Sequence, residues 1–125
     1  MFEITITDDF AAAHRLNNYN GACENLHGHN FIVEVSVVCD KLDKAYIAID
    51  FKELKAITKG ILSKLDHRYL NELEPFKSTN PTSEMIAKYI FDELKKALTG
   101  KDCKPSRVSV YESLKAKATY SEINR

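Results

Sequence analysis

Two stretches of alternating polarity, followed by a change of period, constrain this chain more than any other feature. Phe2, Ile4, Ile6, Phe10 and Ala12 share one parity while Glu3, Thr5, Thr7 and Asp9 hold the other, the pattern of a strand with one dry and one wet face. Phe31, Val33, Val35 and Val37 repeat it against Glu34 and Ser36, which predicts a second strand over 29–39. From Asp50 the period becomes helical, with Leu54, Ile57, Ile61, Leu62 and Leu65 on one side and Lys52, Glu53, Lys55 and Lys59 mostly on the other. Asp50 followed by Glu53 resembles a capping box and puts the helix start near Phe51. A second helix is expected after Asn80-Pro81-Thr82, because Pro81 disfavours helical geometry at Asn80; Met85, Ile86, Tyr89, Ile90, Leu94 and Leu98 supply its stripe, and Gly100 ends it. Val108 and Val110, then Ala116, Ala118 and Tyr120, alternate as a closing hairpin. The order ββααββ predicts an α+β fold, an antiparallel sheet carrying two helices on one face.

The 125 residues leave room for one domain, 1–125, and folding at this size buries roughly two-thirds of the unfolded chain's surface. Lys+Arg 18 against Asp+Glu 18 offers no excess of cations to displace counterions, so a general nucleic-acid binder is excluded. Apolar runs are only a few residues long, and Met1-Phe2-Glu3-Ile4 lacks the charged and apolar regions of a signal peptide, so neither a membrane span nor a leader is expected. Cys23, Cys39 and Cys103 are odd in number and show no paired spacing. The expectation is no disulfide framework and a reducing, cytoplasmic compartment.

Chemistry concentrates in Cys23-Glu24-Asn25-Leu26-His27-Gly28-His29. Residues at i and i+2 of an extended chain point to the same side, so His27 and His29 share a face with Phe31 and Val33. His14 shares the parity of Phe10 and Ala12. All three imidazoles are thereby expected where the dry faces of two adjacent strands run out. Three neutral imidazoles with a fourth position open suit a catalytic zinc, which polarises a bound oxygen and lowers the pKa of a hydroxyl. Gly28 leaves room for close approach. Cys23, four residues before His27, is either a fourth, structural ligand or a thiol shifted toward thiolate beside the cation, and spacing does not separate these roles.

Two further groups stand out. Glu112 has the parity of Val108 and Val110, which makes it either a carboxylate at the end of a third apolar face or a strand-end charge turning to water. Asp66-His67 follows the first helix; the pair is either an oriented imidazole for proton transfer or a histidine placed against a helix C-terminal dipole.

Phe10-Ala11-Ala12-Ala13-His14, Cys23-x-x-x-His27-Gly28-His29, Ile49-Asp50-Phe51-x-x-Leu54-Lys55, Leu65-Asp66-His67-Arg68-Tyr69-Leu70-Asn71, Asn80-Pro81-Thr82-Ser83-Glu84 and the late Glu112 resemble the 6-pyruvoyltetrahydropterin synthase family over nearly the whole chain. The three-residue spacer between the cysteine and His-Gly-His looks like the branch that makes 6-carboxy-5,6,7,8-tetrahydropterin for queuosine, whereas the animal biopterin enzymes have a longer spacer. A related branch, which makes 6-hydroxymethyldihydropterin for folate, has a glutamate three positions before His-Gly-His, and Glu24 occupies that position here.

The resemblance implies the T-fold: a four-stranded antiparallel sheet with two helices, subunits joining edge to edge into a barrel, commonly a dimer of trimers, with the pocket between subunits. A barrel lumen explains a wet face over Glu3, Thr5, Thr7, Glu34 and Ser36. The implied substrate is 7,8-dihydroneopterin triphosphate. Zn2+ would be held by His14, His27 and His29, Cys23 would be the general base, and His67 with Asp66, on a site shared with a neighbouring chain, would relay protons. Glu112 would accept hydrogen bonds from the pterin amino group and ring N–H. The implied reaction eliminates triphosphate, tautomerises and cleaves a carbon–carbon bond to release acetaldehyde, with no redox cofactor. The alternatives are a pyruvoyl- or hydroxymethyl-pterin-forming enzyme on the same scaffold and a zinc- or pterin-binding module without turnover.

Overall fold

The computed structural model describes residues 1–16 and 27–122. Strand β1 (Phe2–His14) pairs antiparallel with β2 (His27–Cys39), helix α1 (Phe51–Leu62) follows, and a two-residue strand β3 (Arg68–Tyr69) precedes helix α2 (Ser83–Ala97). β4 (Cys103–Ser113) and β5 (Ala116–Ser121) close the chain as an antiparallel hairpin. The sheet order is β3-β1-β2-β4-β5, with only the β1–β3 contact parallel. The predicted four strands and two helices are all present; β3 is the addition, too short for any alternation to announce it.

The dry face forms as the parity requires from Ile6 onward, while Phe2, at the start of β1, is exposed and Ile4 is half-buried. Ile6, Phe10 and Ala12 of β1 and Phe31, Val33, Val35 and Val37 of β2 are buried, and the rings of Phe10 and Phe31 stack at 5.0 Å. Across from them, α1 presents Leu54, Ile61 and Leu62, and α2 presents Ile86, Ile90, Phe91 and Leu94. Thr58, on the same buried stripe of α1, donates its hydroxyl to the Leu54 carbonyl at 2.8 Å, so its burial leaves no unpaired polar group. Asp50 caps α1 by accepting from the Lys52 amide. Its expected partner Glu53 instead pairs with Lys101 at 2.8 Å. Thr82 caps α2 through the Met85 amide. Glu93 of α2 accepts from Lys96 and Lys64, and these cations, Lys96 foremost, hold its carboxyl below the usual range.

Two expectations need correction. Ser36, assigned to the wet face, is 3% exposed: its hydroxyl is 2.7 Å from that of Thr5, its partner across the β1–β2 ladder, and Ser106 donates to its carbonyl beside a bulge in β4. Cys39 and Cys103, read as unpaired, form a disulfide. The two residues stand directly opposite in the β2–β4 register with their Cα atoms 4.4 Å apart, within bridging range. Strand register brought them together across 64 residues of chain, which no local spacing could reveal.

Candidate active site

The β1–β2 ladder ends at the pair His14–His27, with Ala12 opposite His29 one step inside. Directly opposed residues of an antiparallel pair share a face, so His14 and His29 both stand at the end of the stripe that holds Phe10 and Phe31. The ring of Phe31 lies 5.5 Å from each of the two imidazoles, which meet edge to face at 5.3 Å. His27 holds the register position opposite His14. Cys23 and Glu24 lie outside the described residues.

His14 is 1% exposed, and its Nδ1 is 2.8 Å from the carbonyl oxygen of Pro81. A carbonyl only accepts, so Nδ1 carries a proton, and in the neutral ring Nε2 is the nitrogen that keeps the lone pair. Metal-ligating histidines are held in this way, with the second nitrogen fixing tautomer and ring plane. The peptide that does it precedes α2, and the sequence offers no signal for it because any residue's carbonyl would serve.

Glu112 comes to the same place from β4. The β4–β5 register shifts between Tyr111 and Ser113, and Glu112, at this irregularity, sits at the end of the face that buries Val108 and Val110. Its Oε1 is 3.3 Å from His14 Nε2 and 3.5 Å from His29 Nε2. It is therefore no strand-end charge turned to water, although 35% of its side chain remains exposed. Among the described residues, His14, His29 and Glu112 are the one grouping of three or more candidate ligands, with donor atoms within 4.8 Å of one another. Their separations of 3.3 and 3.5 Å fit the roughly 3.4 Å edge of a tetrahedron with zinc–donor bonds of about 2.1 Å. Two imidazole nitrogens and a carboxylate oxygen are also donor types zinc takes, so His14 and His29 fit the ion, with Glu112 close enough either to join them or to face a molecule bound beside them.

Asp66 and His67 are placed by the outer edge of β1. Asp66 Oδ1 accepts the Ala11 amide at 2.9 Å, and the His67 amide donates to the Ala11 carbonyl at 2.6 Å. α1 ends at Leu62, and the His67 amide bonds to the edge of β1. His67 Nε2 lies 3.7 Å from Asp66 Oδ2, beyond hydrogen-bond length, and the side chain is 83% exposed. Its φ is +58°. A left-handed backbone costs an L-residue about 1 kcal/mol that glycine would avoid. Strain of this kind gathers at functional sites.

An open groove of about 620 Å³ runs along these strand ends, lined by Ala11, Ala13, Gly28, His29, His67 and Tyr69 among others. It brings His29 and His67 to one recess within a single chain. The small side chains of Ala11, Ala13 and Gly28 leave its volume free. A second, more apolar hollow of about 330 Å³ lies between Phe2, Leu42, Tyr46 and Phe51; its ionisable groups are the Tyr46 phenol and Asp50, whose carboxylate caps α1.

A protein-family model described as 6-pyruvoyl tetrahydropterin synthase matches residues 3–123. The chain is 43% identical over 89 residues to the dihydroneopterin monophosphate aldolase of Pyrococcus furiosus, an alignment covering 71% of this chain and 72% of the relative. It is 33% identical over 115 residues to the 6-carboxy-5,6,7,8-tetrahydropterin synthase of Bacillus subtilis, covering 88% and 77%. Among solved structures, 6-pyruvoyl tetrahydropterin synthase of Caenorhabditis elegans matches with a TM-score of 0.87 at 30% identity, covering 98% of this chain and 96% of that one.

Proposed function

The chain belongs to the 6-pyruvoyl tetrahydropterin synthase family and is an enzyme, a lyase, and from that premise we propose that it is a zinc-dependent 6-carboxy-5,6,7,8-tetrahydropterin synthase of queuosine biosynthesis. Its substrate in this reading is 7,8-dihydroneopterin triphosphate and its products are 6-carboxytetrahydropterin, acetaldehyde and triphosphate. The observation that carries the reading is the convergence of His14 Nε2, His29 Nε2 and the Glu112 carboxylate at the rim of the sheet.

His14, His27 and His29 would hold the zinc, His27 on the strength of its register opposite His14. Zinc, when bound, supplies Lewis acidity that makes the side-chain hydroxyls of the substrate easier to deprotonate. Cys23 as thiolate takes the proton, with the redox balance kept inside the substrate by tautomerisation. His67 Nε2, beside Asp66 Oδ2, moves protons at the groove's other rim. Glu112 accepts hydrogen bonds from the pterin amino group and ring N–H, which orients the ring for attack at its side chain. Residues 1–125 act in this reading as one such domain in a homo-oligomer, a hexamer built as a dimer of trimers. The outer edges support that assembly: β1 pairs with β3 only at Ala12 and Ala13, and β5 is terminal in the sheet.

The triphosphate also bears on where the enzyme works. A multiply charged substrate does not cross a bilayer, so the reading places the chain in the cytoplasm where such a compound is made. A buried disulfide has precedent in that setting among hyperthermophiles.

A second reading has its own support. Identity of 43% to a dihydroneopterin monophosphate aldolase, together with Glu24 beside Cys23, favours a hydroxymethyldihydropterin-forming activity, alone or beside the first. Identifying every product formed from dihydroneopterin triphosphate, and separately from the monophosphate, by the zinc-loaded protein separates them. Carboxytetrahydropterin with acetaldehyde supports the first reading. Hydroxymethyldihydropterin with a glycolaldehyde-type fragment supports the second, and pterin binding without turnover would reduce the chain to a binding module.

A further inference from the structure

β3 contributes two residues beside β1, at Ala12 and Ala13, and the chain then coils into a short 3-10 turn over Leu70–Glu72. The ladder nevertheless continues. Asn71 accepts the Arg15 amide on its Oδ1 at 2.8 Å and donates its Nδ2 to the Arg15 carbonyl at 2.7 Å. Alternate residues of a strand turn their backbone groups to the same edge, so Arg15 faces the side on which Ala11 is held by Asp66 and His67. One carboxamide thus replaces both hydrogen bonds of a missing rung.

The position of that rung matters because Arg15 directly follows His14, the last residue of β1 and half of the last β1–β2 pair. A terminal pair opens more readily than the pairs behind it. On the β2 side nothing among the described residues extends the ladder past His14–His27, and on the other side β3 stops at Tyr69. The Asn71 carboxamide is the contact that closes the strand end beyond the imidazole.

We propose that Asn71 is a positioning residue for the metal centre: its paired hydrogen bonds to Arg15 lock the end of β1 and so hold His14 in the register that aims Nε2 at the site. This rests on the metal reading given under Proposed function. It assigns to Asn71 a role that differs from contact with substrate or zinc, and it explains why a residue with both a donor and an acceptor on one planar group stands here.

The test uses the full chain, stripped of metal and titrated with zinc against a chelator of known affinity, with amide hydrogen exchange followed at His14 and Arg15. Asn71→Ala should weaken zinc binding by about tenfold, the size seen when groups that orient a ligand are lost. Exchange at Arg15 should quicken while the melting temperature of the metal-free protein moves by no more than about 3 °C, since the lost bonds lie at an exposed strand end. Asn71→Asp keeps the acceptor and loses the donor, and should fall between the two. Zinc affinity within twofold of wild type in Asn71→Ala would overturn the proposal. So would a large drop in the metal-free melting temperature that carries the affinity down with it, because that is general destabilisation. A wild-type chain that takes up no zinc would refute the metal reading itself; the clasp is then judged on exchange at Arg15, and unchanged protection in Asn71→Ala overturns it.

Discussion

The Nδ1–H of His14 is given to the carbonyl of Pro81 at 2.8 Å, and the opposite nitrogen of the same ring faces Glu112 Oε1 at 3.3 Å. Burial of the ring at 1% exposure would be costly if Nδ1–H were unpaired, and the Pro81 carbonyl accepts it. A tautomer fixed from behind, with a lone pair presented forward, is what a metal ligand requires. The same arrangement divides labour at the site. His14 and His29 present nitrogens from neighbouring strands, while Glu112 reaches them from β4 with 35% of its side chain still exposed.

That division makes Glu112 separable from the histidines. Glu112→Gln keeps the shape and one acceptor but removes the charge. The expected result is unchanged zinc stoichiometry with kcat/KM lowered about 10- to 100-fold, the value of one charge-assisted hydrogen bond to substrate. Loss of zinc from the purified variant would instead make Glu112 a ligand.

His67 should show opposite effects on stability and activity. His67→Gly relieves the backbone at φ +58°, so the variant is expected to be as stable as wild type or up to about 1 kcal/mol more stable in urea unfolding. Its turnover should fall by about 10²-fold or more if the imidazole moves protons. Wild-type turnover in a folded His67→Gly protein would remove the residue from the mechanism.

Cys23 and Glu24 lie side by side, and neighbours in an extended chain point to opposite sides. Cys23 is expected to be the base: Cys23→Ala should keep close to one zinc per chain while carboxytetrahydropterin formation collapses by about 10²-fold or more. Glu24→Gln should retain most of that activity and lose any hydroxymethylpterin side product. Zinc loss in Cys23→Ala would make the thiol a structural ligand. Loss of carboxytetrahydropterin formation in Glu24→Gln, with zinc intact, would transfer the base to the carboxylate.

What the sequence disclosed, and what it hid, divides along physical lines. Parity located His14 and His29 on one face because the strands carrying them are long, regular and paired without a break from Phe2 to His14. Helix caps at Asp50 and Thr82 were legible because capping is local. Glu112 could be placed on its strand but not beside the histidines, since its approach depends on the irregularity after Tyr111. Ties made across the chain left no trace: the Ala11–Asp66 bond, the Pro81 carbonyl behind His14, the Asn71 clasp and the Cys39–Cys103 bridge all join residues 55 or more apart.

The bridge itself is expected to act on stability and not on the site, because it joins β2 to β4 at the end of β2 opposite to His27 and His29. Closing a loop of this length is worth about 4 kcal/mol in the chain-entropy account. Replacing Cys39 and Cys103 together by Ser should lower the urea midpoint accordingly, with zinc affinity within twofold of wild type. An unchanged midpoint would show that the bond does not stabilise the folded chain.

The most direct measurement is a zinc titration of the chelator-stripped protein in the presence of dihydroneopterin triphosphate, with acetaldehyde release and bound zinc followed together. A metal-centred lyase predicts almost no release without zinc and a rate that rises linearly to a plateau at one zinc per chain, with His29→Ala showing neither uptake nor release. Full acetaldehyde release from the stripped protein, or stoichiometric zinc uptake by His29→Ala, would contradict it.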